Sequence, residues 1–170
     1  MRPSIYWLDV PKAWRLAIMA RPRAGDWLLD EIAGWRADSI DIVVSLLEQH
    51  EVVELELHQE PESCRAASIE FVSFPIPDRG APASMRETEQ LVRRLSAAAA
   101  DGQAVAIHCR AGIGRSSLIA ACILVRNGYD AGSAFEVIAK ARGVEVPDTQ
   151  AQRAWVATFE ATAPQARKGA

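Results

Sequence analysis

A chain of 170 residues with 49% hydrophobic and 24% charged residues is typical of one globular domain that can bury a core. The formal net charge of −3 gives no reason to expect nucleic acid or an anionic membrane as a partner. The 3 cysteines lack metal-ligand spacing and favour a reducing compartment, and no apolar run reaches membrane-spanning length. We therefore expect a cytoplasmic, monomeric protein.

The N-terminal half alternates short apolar runs with helical patterns, which is typical of an α/β domain. Asp26 stands where it can cap the first helix, which ends near Ala37. The residues from Ile40 to Leu47 are almost all apolar, as in a strand covered on both faces. In chain order we predict strands over 4–10 and 15–20, a helix over 26–37, a strand over 40–47, short helices within 48–60 and 61–67, and a strand over 69–74.

The C-terminal half is richer in helices. Ser84 and Glu87 form a capping-box pattern at the start of the first of them. In chain order we predict a helix from 84 to 101, a strand over 104–107, a helix over 116–125, and helices that begin near 130 and 147. The whole pattern predicts a single α/β domain over residues 1–162, in which helices cover both faces of a central mixed, mostly parallel sheet. We expect residues 163–170 to form a flexible tail.

The loop between the 104–107 strand and the 116–125 helix carries the chemistry of the chain. It contains His108 and Cys109 at its start, Gly112 and Gly114 in its middle and Arg115 at its end. Glycines let a loop point its N–H groups inward as an anion-binding nest, and the following helix N-terminus also favours an anion. A cysteine among such donors is stabilised as the thiolate, and an arginine fork matches two phosphate oxygens. The loop therefore predicts a nucleophile inside a phosphate cradle.

The segment His108-Cys109-x-x-Gly112-x-Gly114-Arg115-Ser116 resembles the signature of the protein tyrosine phosphatase superfamily, in the form of its dual-specificity branch. The resemblance implies the same fold and a metal-independent phosphomonoester hydrolase without a cofactor. It implies a cysteinyl-phosphate intermediate on Cys109 and action on phosphotyrosine and phosphoserine or phosphothreonine in proteins. The phosphate-binding residues it implies are Arg110, Ala111, Gly112, Ile113, Gly114 and Arg115.

Asp78 is the candidate general acid, because the departing oxygen of a phosphomonoester needs a proton that a positioned carboxylic acid can supply. It lies in a loop stiffened by Pro75, Pro77 and Pro82, on a different segment from Cys109. In the resembled family the acid is an aspartate on a mobile loop before the signature. The Trp-Pro-Asp form of the tyrosine-specific branch is absent here.

The second step, hydrolysis of the phosphocysteine, needs a water held in line with the sulfur. Gln152 matches the glutamine of the family's late loop better than Gln150, because it precedes an aromatic position in the same way. We expect Ser116 to donate a hydrogen bond to the sulfur as it leaves. His108 is expected to hydrogen-bond the loop backbone and hold its N–H groups inward, without touching substrate.

Other functions stay open on the sequence. The absence of lysine at Arg110, Ala111 and Ile113 disfavours an inositol-lipid phosphatase, which uses lysines there to meet additional phosphates. A small-molecule phosphatase or a phosphate-binding module without turnover would use the same loop. A sulfur-transfer enzyme would need neither an aspartic acid at 78 nor the Arg-Ser ending.

Two features bear on specificity and redox behaviour. The chain lacks the tyrosine-bearing segment that deepens the pocket of tyrosine-specific enzymes, so we predict a shallow pocket, with Trp7 or Trp14 as a possible partial wall. Cys64 is an open candidate for a resolving thiol opposite Cys109, whereas Cys122 lies on an apolar helix and is expected to be packing.

Overall fold

The computed structural model describes residues 4–11 and 13–162. Its centre is a five-stranded sheet with the strand order β1-β2-β5-β3-β4. The strands are β1 (Ile5–Trp7), β2 (Arg15–Ala20), β3 (Ile42–Ser45), β4 (Glu70–Ser73) and β5 (Ala104–Cys109). Every strand falls inside a run predicted from the sequence except β5, which continues two residues further and ends on Cys109.

β5 occupies the middle of the sheet and sets the position of the candidate loop. It pairs in parallel with β2, where Ala20 lies opposite Cys109, and with β3, where Ser45 lies opposite His108. The carboxyl ends of these three strands therefore meet at one edge. β1 pairs with β2 in antiparallel orientation, which makes the sheet mixed and mostly parallel as predicted.

Helices cover both faces of the sheet, which confirms the predicted fold class. Alternate residues of β5 belong to different core clusters: Val105 and Ile107 pack with the later helices, whereas Ala106 packs with the first and third. The helices are α1 (Leu28–Ala37), α2 (Gln49–Glu54), α3 (Glu60–Ala66), α4 (Met85–Ala100), α5 (Arg115–Arg126), α6 (Ala131–Arg142) and α7 (Gln150–Thr162). α1 and α3 lie on one face, and α4 to α7 lie on the other.

α5 is the central helix of the larger layer. Each of its residues from Arg115 to Val125 is buried, because the helix packs against the sheet and against α4, α6 and α7. This burial explains its apolar sequence. It also fixes the direction in which the N-terminus of α5, with Arg115, meets the end of β5.

The start of α1 differs from the prediction. Asp26 does not cap the helix: it lies inside a 3-10 turn, Gly25–Trp27, that continues directly into α1. The Leu28 N–H donates to the Gly25 carbonyl, so the turn takes up a donor that a capping side chain would otherwise bind. Ser84 does cap α4, since its Oγ accepts from the Glu87 N–H at 3.1 Å. The predicted tail over 163–170 lies outside the described residues.

Within residues 4–11 and 13–162, none of the helices combines the length and the hydrophobicity needed to cross a membrane. The same ranges contain no group of three or more metal-ligating side chains placed to hold an ion.

Candidate active site

The loop from Cys109 to Arg115 has its backbone carbonyls bound on its outer side. The Arg110 carbonyl accepts from the Arg21 N–H at 3.3 Å. The guanidinium of Arg142, at the end of α6, donates to the carbonyls of Gly112 at 3.0 Å and Ala111 at 3.4 Å. Carbonyls bound on the outer side are compatible with the anion-binding nest that the sequence predicts for this loop.

Gly112 allows the loop to pack directly on the end of β2. Its φ of +69° lies in the left-handed region, and a Cβ atom there would lie 2.6 Å from the Met19 carbonyl carbon and 2.7 Å from the Ala20 nitrogen. Both neighbouring atoms belong to the backbone of a central strand and cannot move aside. Only glycine therefore fits this position.

The buried carboxylate of Glu51 binds the Arg115 guanidinium. Nη1 and Nη2 donate to the two oxygens of Glu51 at 2.7 and 2.9 Å, and both side chains are 2% exposed. Nη1 also donates to the Ile76 carbonyl at 3.0 Å, and Nη2 donates to Oδ1 of Asp78 at 3.0 Å. A buried arginine needs such partners, because an unpaired charge in the interior costs several kcal/mol.

The two members of this ion pair keep each other ionised. Burial is the largest single influence on both and opposes their charged forms, but the pairing outweighs it. The pKa of Glu51 is therefore lowered by the Arg115 guanidinium and by the Glu48 backbone, and the pKa of Arg115 is raised by Glu51, Cys109 and Asp78.

Cys109 lies at the bottom of the loop with 3% of its surface exposed. Its Sγ is 3.4 Å from Oγ of Ser116, in the first turn of α5. As a thiolate, Cys109 would accept a hydrogen bond from the Ser116 hydroxyl. The structure thus places the predicted pair in contact.

His108 points to the other face of the sheet and bonds a second buried carboxylate. Its Nε2 is 2.6 Å from Oε1 of Glu60, and both side chains are at most 2% exposed. Its Nδ1 is 3.4 Å from the Cys109 carbonyl, so the imidazole joins the loop backbone to α3.

The predicted acid and the predicted glutamine come from two segments that meet beside the loop. Asp78 is half exposed (53%) and contacts Arg115, as described above. Gln152 is fully buried: its Oε1 accepts from the Thr149 N–H at 3.2 Å, and its Nε2 donates to the Gly80 carbonyl at 3.1 Å. Gln152 therefore ties the loop that carries Asp78 to the start of α7, whereas Gln150 is exposed.

The family model Tc-R-P, described as a DSP-PTPase phosphatase of polymorphic toxin systems, matches residues 17–129. The chain belongs to this family. The match runs from β2 to the end of α5 and includes the loop, Asp78 and Glu51. This Tc-R-P chain is therefore of the dual-specificity-like branch of the cysteine-dependent phosphatases, as the signature predicted.

Solved structures show the same fold. The kinase associated phosphatase KAP, with its catalytic cysteine replaced by serine, superposes with a TM-score of 0.84 at 18% identity, over 95% of the Tc-R-P chain and 96% of KAP. Tk-PTP in its active form superposes with a TM-score of 0.75 at 27% identity, over 95% of the Tc-R-P chain and 99% of Tk-PTP. PTPMT1 in complex with PI(5)P superposes with a TM-score of 0.73 at 20% identity, over 91% of the Tc-R-P chain and 95% of PTPMT1.

The other two cysteines of the Tc-R-P chain are buried and unreactive by environment. Burial raises the pKa of Cys64 to about 12, with Glu60 adding to the effect, and raises the pKa of Cys122 as well. Cys64 belongs to the core on the α1 and α3 face, and Cys109 belongs to the core on the opposite face. The sheet separates them, so Cys64 is not placed to act as a resolving thiol in this arrangement.

Neither candidate aromatic wall stands over the loop. Trp14 lines a cavity of about 430 Å³ with Leu124 and Tyr129, at the end of α5 opposite Arg115. Trp7 lies under the Arg15 guanidinium, 4.4 Å from ring centroid to Cζ. The shallow pocket itself stays a prediction.

Three residues that position the site were missed by sequence reasoning: Glu51, Glu60 and Arg142. Glu51 lies in an acidic stretch without a motif that would single it out, and Arg142 resembles the usual basic residue at a helix C-terminus. A partial signal existed for Glu51. Glu48 and Glu51 close a capping box at the start of α2, which fixes Glu51 in the first turn of a helix.

The first prediction concerns the close approach at Gly112. Gly112→Ala adds a Cβ into the β2 backbone at positive φ, whereas Gly102→Ala, at φ +87° with no atom within 4 Å, adds only the conformational cost. We expect Gly102→Ala to lower the free energy of unfolding by about 1–2 kcal/mol, and Gly112→Ala to lower it clearly further. Urea unfolding of both variants measures the difference. Equal losses would show that the loop does not pack on β2 in this way.

The second prediction concerns the Glu51–Arg115 pair. Because the pKa of Glu51 is lowered by folding, its contribution to stability is present above its ordinary value of 4.5 and is lost as the pH falls through the lower, folded value. Glu51→Gln should cost about 3–5 kcal/mol near neutral pH, because it leaves the buried Arg115 with the half-exposed Asp78 as its remaining charge partner. The free energy of unfolding of the wild type should therefore approach that of the variant as the pH falls below 4.5.

Glu62→Gln is the matched control, because Glu62 is 82% exposed and pairs with Arg65 on the surface. It should leave the stability and its pH dependence nearly unchanged. Parallel pH curves for the wild type and Glu51→Gln would contradict the assignment.

Proposed function

We propose that this phosphatase hydrolyses phosphomonoesters without a metal ion, through a cysteinyl-phosphate on Cys109, and that its substrates are phosphotyrosine and phosphoserine or phosphothreonine in proteins. The observation that carries the proposal is that three groups meet at one place: the Cys109 thiol and the fixed Arg115 guanidinium at the two ends of one loop, and the Asp78 carboxylate from another loop. Arg115 is clamped by Glu51 and its Nη2 contacts Asp78 at 3.0 Å, while Cys109 contacts Ser116 at 3.4 Å.

In the first step the Cys109 sulfur attacks phosphorus and the P–O bond of the ester breaks. The phosphate oxygens lie on the N–H groups of residues 110–115 and on Arg115, which neutralise the charge that develops in the transition state. Asp78 gives its proton to the departing oxygen. A bound phosphate competes with Asp78 for Nη2 of Arg115, so binding frees the carboxyl group to turn toward the leaving group.

In the second step a water attacks phosphorus and the P–S bond breaks. The water gives a proton to Asp78, and Cys109 leaves as a thiolate that accepts a hydrogen bond from Ser116. The resemblance of the late loop to that of the family predicts that Gln152 aligns this water. Its contacts with Thr149 and Gly80 support a further task, which is to join the Asp78 loop to α7.

The charges around the loop favour a substrate with a single phosphate. Arg110 is paired with Glu54 at 3.2 Å, and the neighbouring side chains of Ala111 and Ile113 are uncharged. Among the loop side chains at 110, 111 and 113, Arg110 is the one cation and it is already paired with Glu54, so these positions offer little to a headgroup with several phosphates, which disfavours inositol lipids.

An inositol-lipid headgroup is the second candidate, because PTPMT1, which shares the fold at 20% identity, is described in complex with PI(5)P. We expect comparable kcat/KM values for phosphotyrosine and phosphothreonine peptides and a much lower value for a phosphoinositide. Steady-state kinetics on the three substrates measures this order. A phosphoinositide that is turned over far faster than both peptides would make the lipid the substrate class.

The mechanism itself is tested on Cys109→Ser with p-nitrophenyl phosphate. Serine keeps the size of the side chain but is a far weaker nucleophile, so turnover should vanish while inorganic phosphate still binds. The wild type should keep its full rate with a chelator present. A serine variant that still turns over, or inhibition by the chelator, would contradict the mechanism. A wild type that binds phosphate but does not hydrolyse the ester would instead be a binding module.

A further inference from the structure

Asp148 precedes α7 and places its carboxylate against the loop that carries Cys109 and Arg115. A Cβ atom on Gly114 would lie 2.5 Å from Oδ2 of Asp148 and 3.0 Å from Nε2 of Gln152. Within the described ranges, Asp148 is exposed and its carboxylate has no hydrogen-bond or ion-pair partner. A solvated carboxylate with unused acceptor sites therefore stands one residue away from Arg115.

The two side chains that meet at Gly114 differ in what they can hold. Gln152 is 0% exposed, and both ends of its amide bind the backbone of Thr149 and Gly80. A water from solvent cannot reach a side chain without exposed surface unless the surroundings open. Asp148 reaches the same point from the solvent side with both oxygens available to accept hydrogen bonds.

We propose that Asp148, rather than Gln152, binds the water that hydrolyses the cysteinyl-phosphate. This inference rests on the function proposed above. The Asp148 carboxylate accepts one hydrogen bond from the water and thereby fixes its oxygen over the phosphorus. Placement of the attacking atom is worth a large factor in rate, since a displacement of about 1 Å can cost roughly 10²-fold.

The step balances without any other reactant. The water oxygen forms a bond to phosphorus and the P–S bond breaks, with its electron pair staying on the Cys109 sulfur. One proton of the water passes to Asp78, which lost its proton to the leaving group in the first step. The other proton stays on the inorganic phosphate, and Asp148 remains ionised throughout.

The test separates the two steps by pre-steady-state kinetics with p-nitrophenyl phosphate. In Asp148→Ala the first step is intact and the second is slow. We expect a burst of p-nitrophenol close to one equivalent per enzyme and a phosphorylated enzyme detectable by mass after acid quenching. We expect kcat and KM to fall together, by roughly 10²-fold, while kcat/KM stays near the wild-type value. Asp148→Asn keeps an oxygen acceptor and should recover most of kcat.

Three further variants make the readout specific. Glu145→Ala removes an exposed carboxylate from the same connection, three residues away, and should behave as the wild type. Gln152→Ala should lower kcat/KM through the Asp78 loop without accumulating phosphoenzyme. Asp78→Ala slows the first step and should show no burst.

The outcomes are distinct. A wild-type kcat in Asp148→Ala, or a burst in Gln152→Ala and none in Asp148→Ala, would overturn the assignment of Asp148. Equal losses of kcat and kcat/KM in Asp148→Ala would also overturn it, because they place the residue in the first step. Absence of p-nitrophenol release from the wild type would instead contradict the proposed function.

Discussion

The ion pair between Glu51 and Arg115 is the interaction on which the geometry of the site depends. Both side chains are 2% exposed, so neither charge is tolerable without the other. The pair joins α2 to the N-terminus of α5, and the Ile76 carbonyl adds the segment that leads to Asp78. A single guanidinium thereby fixes the distance between three parts of the chain that are far apart in sequence. Its planar fork is fully used on the Glu51 side, which leaves its orientation little freedom.

The loop itself is fixed by a second set of contacts, from its outer side. Arg142 and the backbone of Arg21 bind three successive carbonyls, at residues 110 to 112, and Gly112 lies directly on β2. Backbone carbonyls that are bound in this way cannot turn inward. In the proposed mechanism the N–H groups of the loop bind the phosphate, and outward-bound carbonyls would preorganise the loop for that task before any anion arrives.

The buried pair of His108 and Glu60 performs the same task on the other face of the sheet. It anchors the carboxyl end of β5 to α3, at the residue that precedes Cys109. Cys109 therefore lies close to two buried ionisable pairs, His108–Glu60 and Glu51–Arg115. Such an arrangement restricts the motion of Cys109 without touching its sulfur, and it leaves Ser116 as the group that contacts it.

Much of this architecture could be predicted from sequence, and the reason is local. The apolar runs of β5 and α5, the two glycines and the Cys-x5-Arg-Ser spacing are all contained within residues 104–125, so pattern and chemistry coincide there. Asp78 could be found because prolines mark its loop. Glu51, Glu60 and Arg142 could not, because each acts on a residue at least 30 positions away. Asp26 shows the converse error, since a favourable capping residue was displaced by a 3-10 turn.

The most direct test of the account is a crystal structure of the wild-type protein with orthovanadate, which mimics a phosphate under attack. The account predicts the vanadium bonded to the Cys109 sulfur, with oxygens on the N–H groups of residues 110–115 and on Nη2 of Arg115. The Glu51–Arg115 pair should be unchanged, and Asp78 should have left the guanidinium. Vanadate bound elsewhere, with the contact between Arg115 and Asp78 intact, would contradict it.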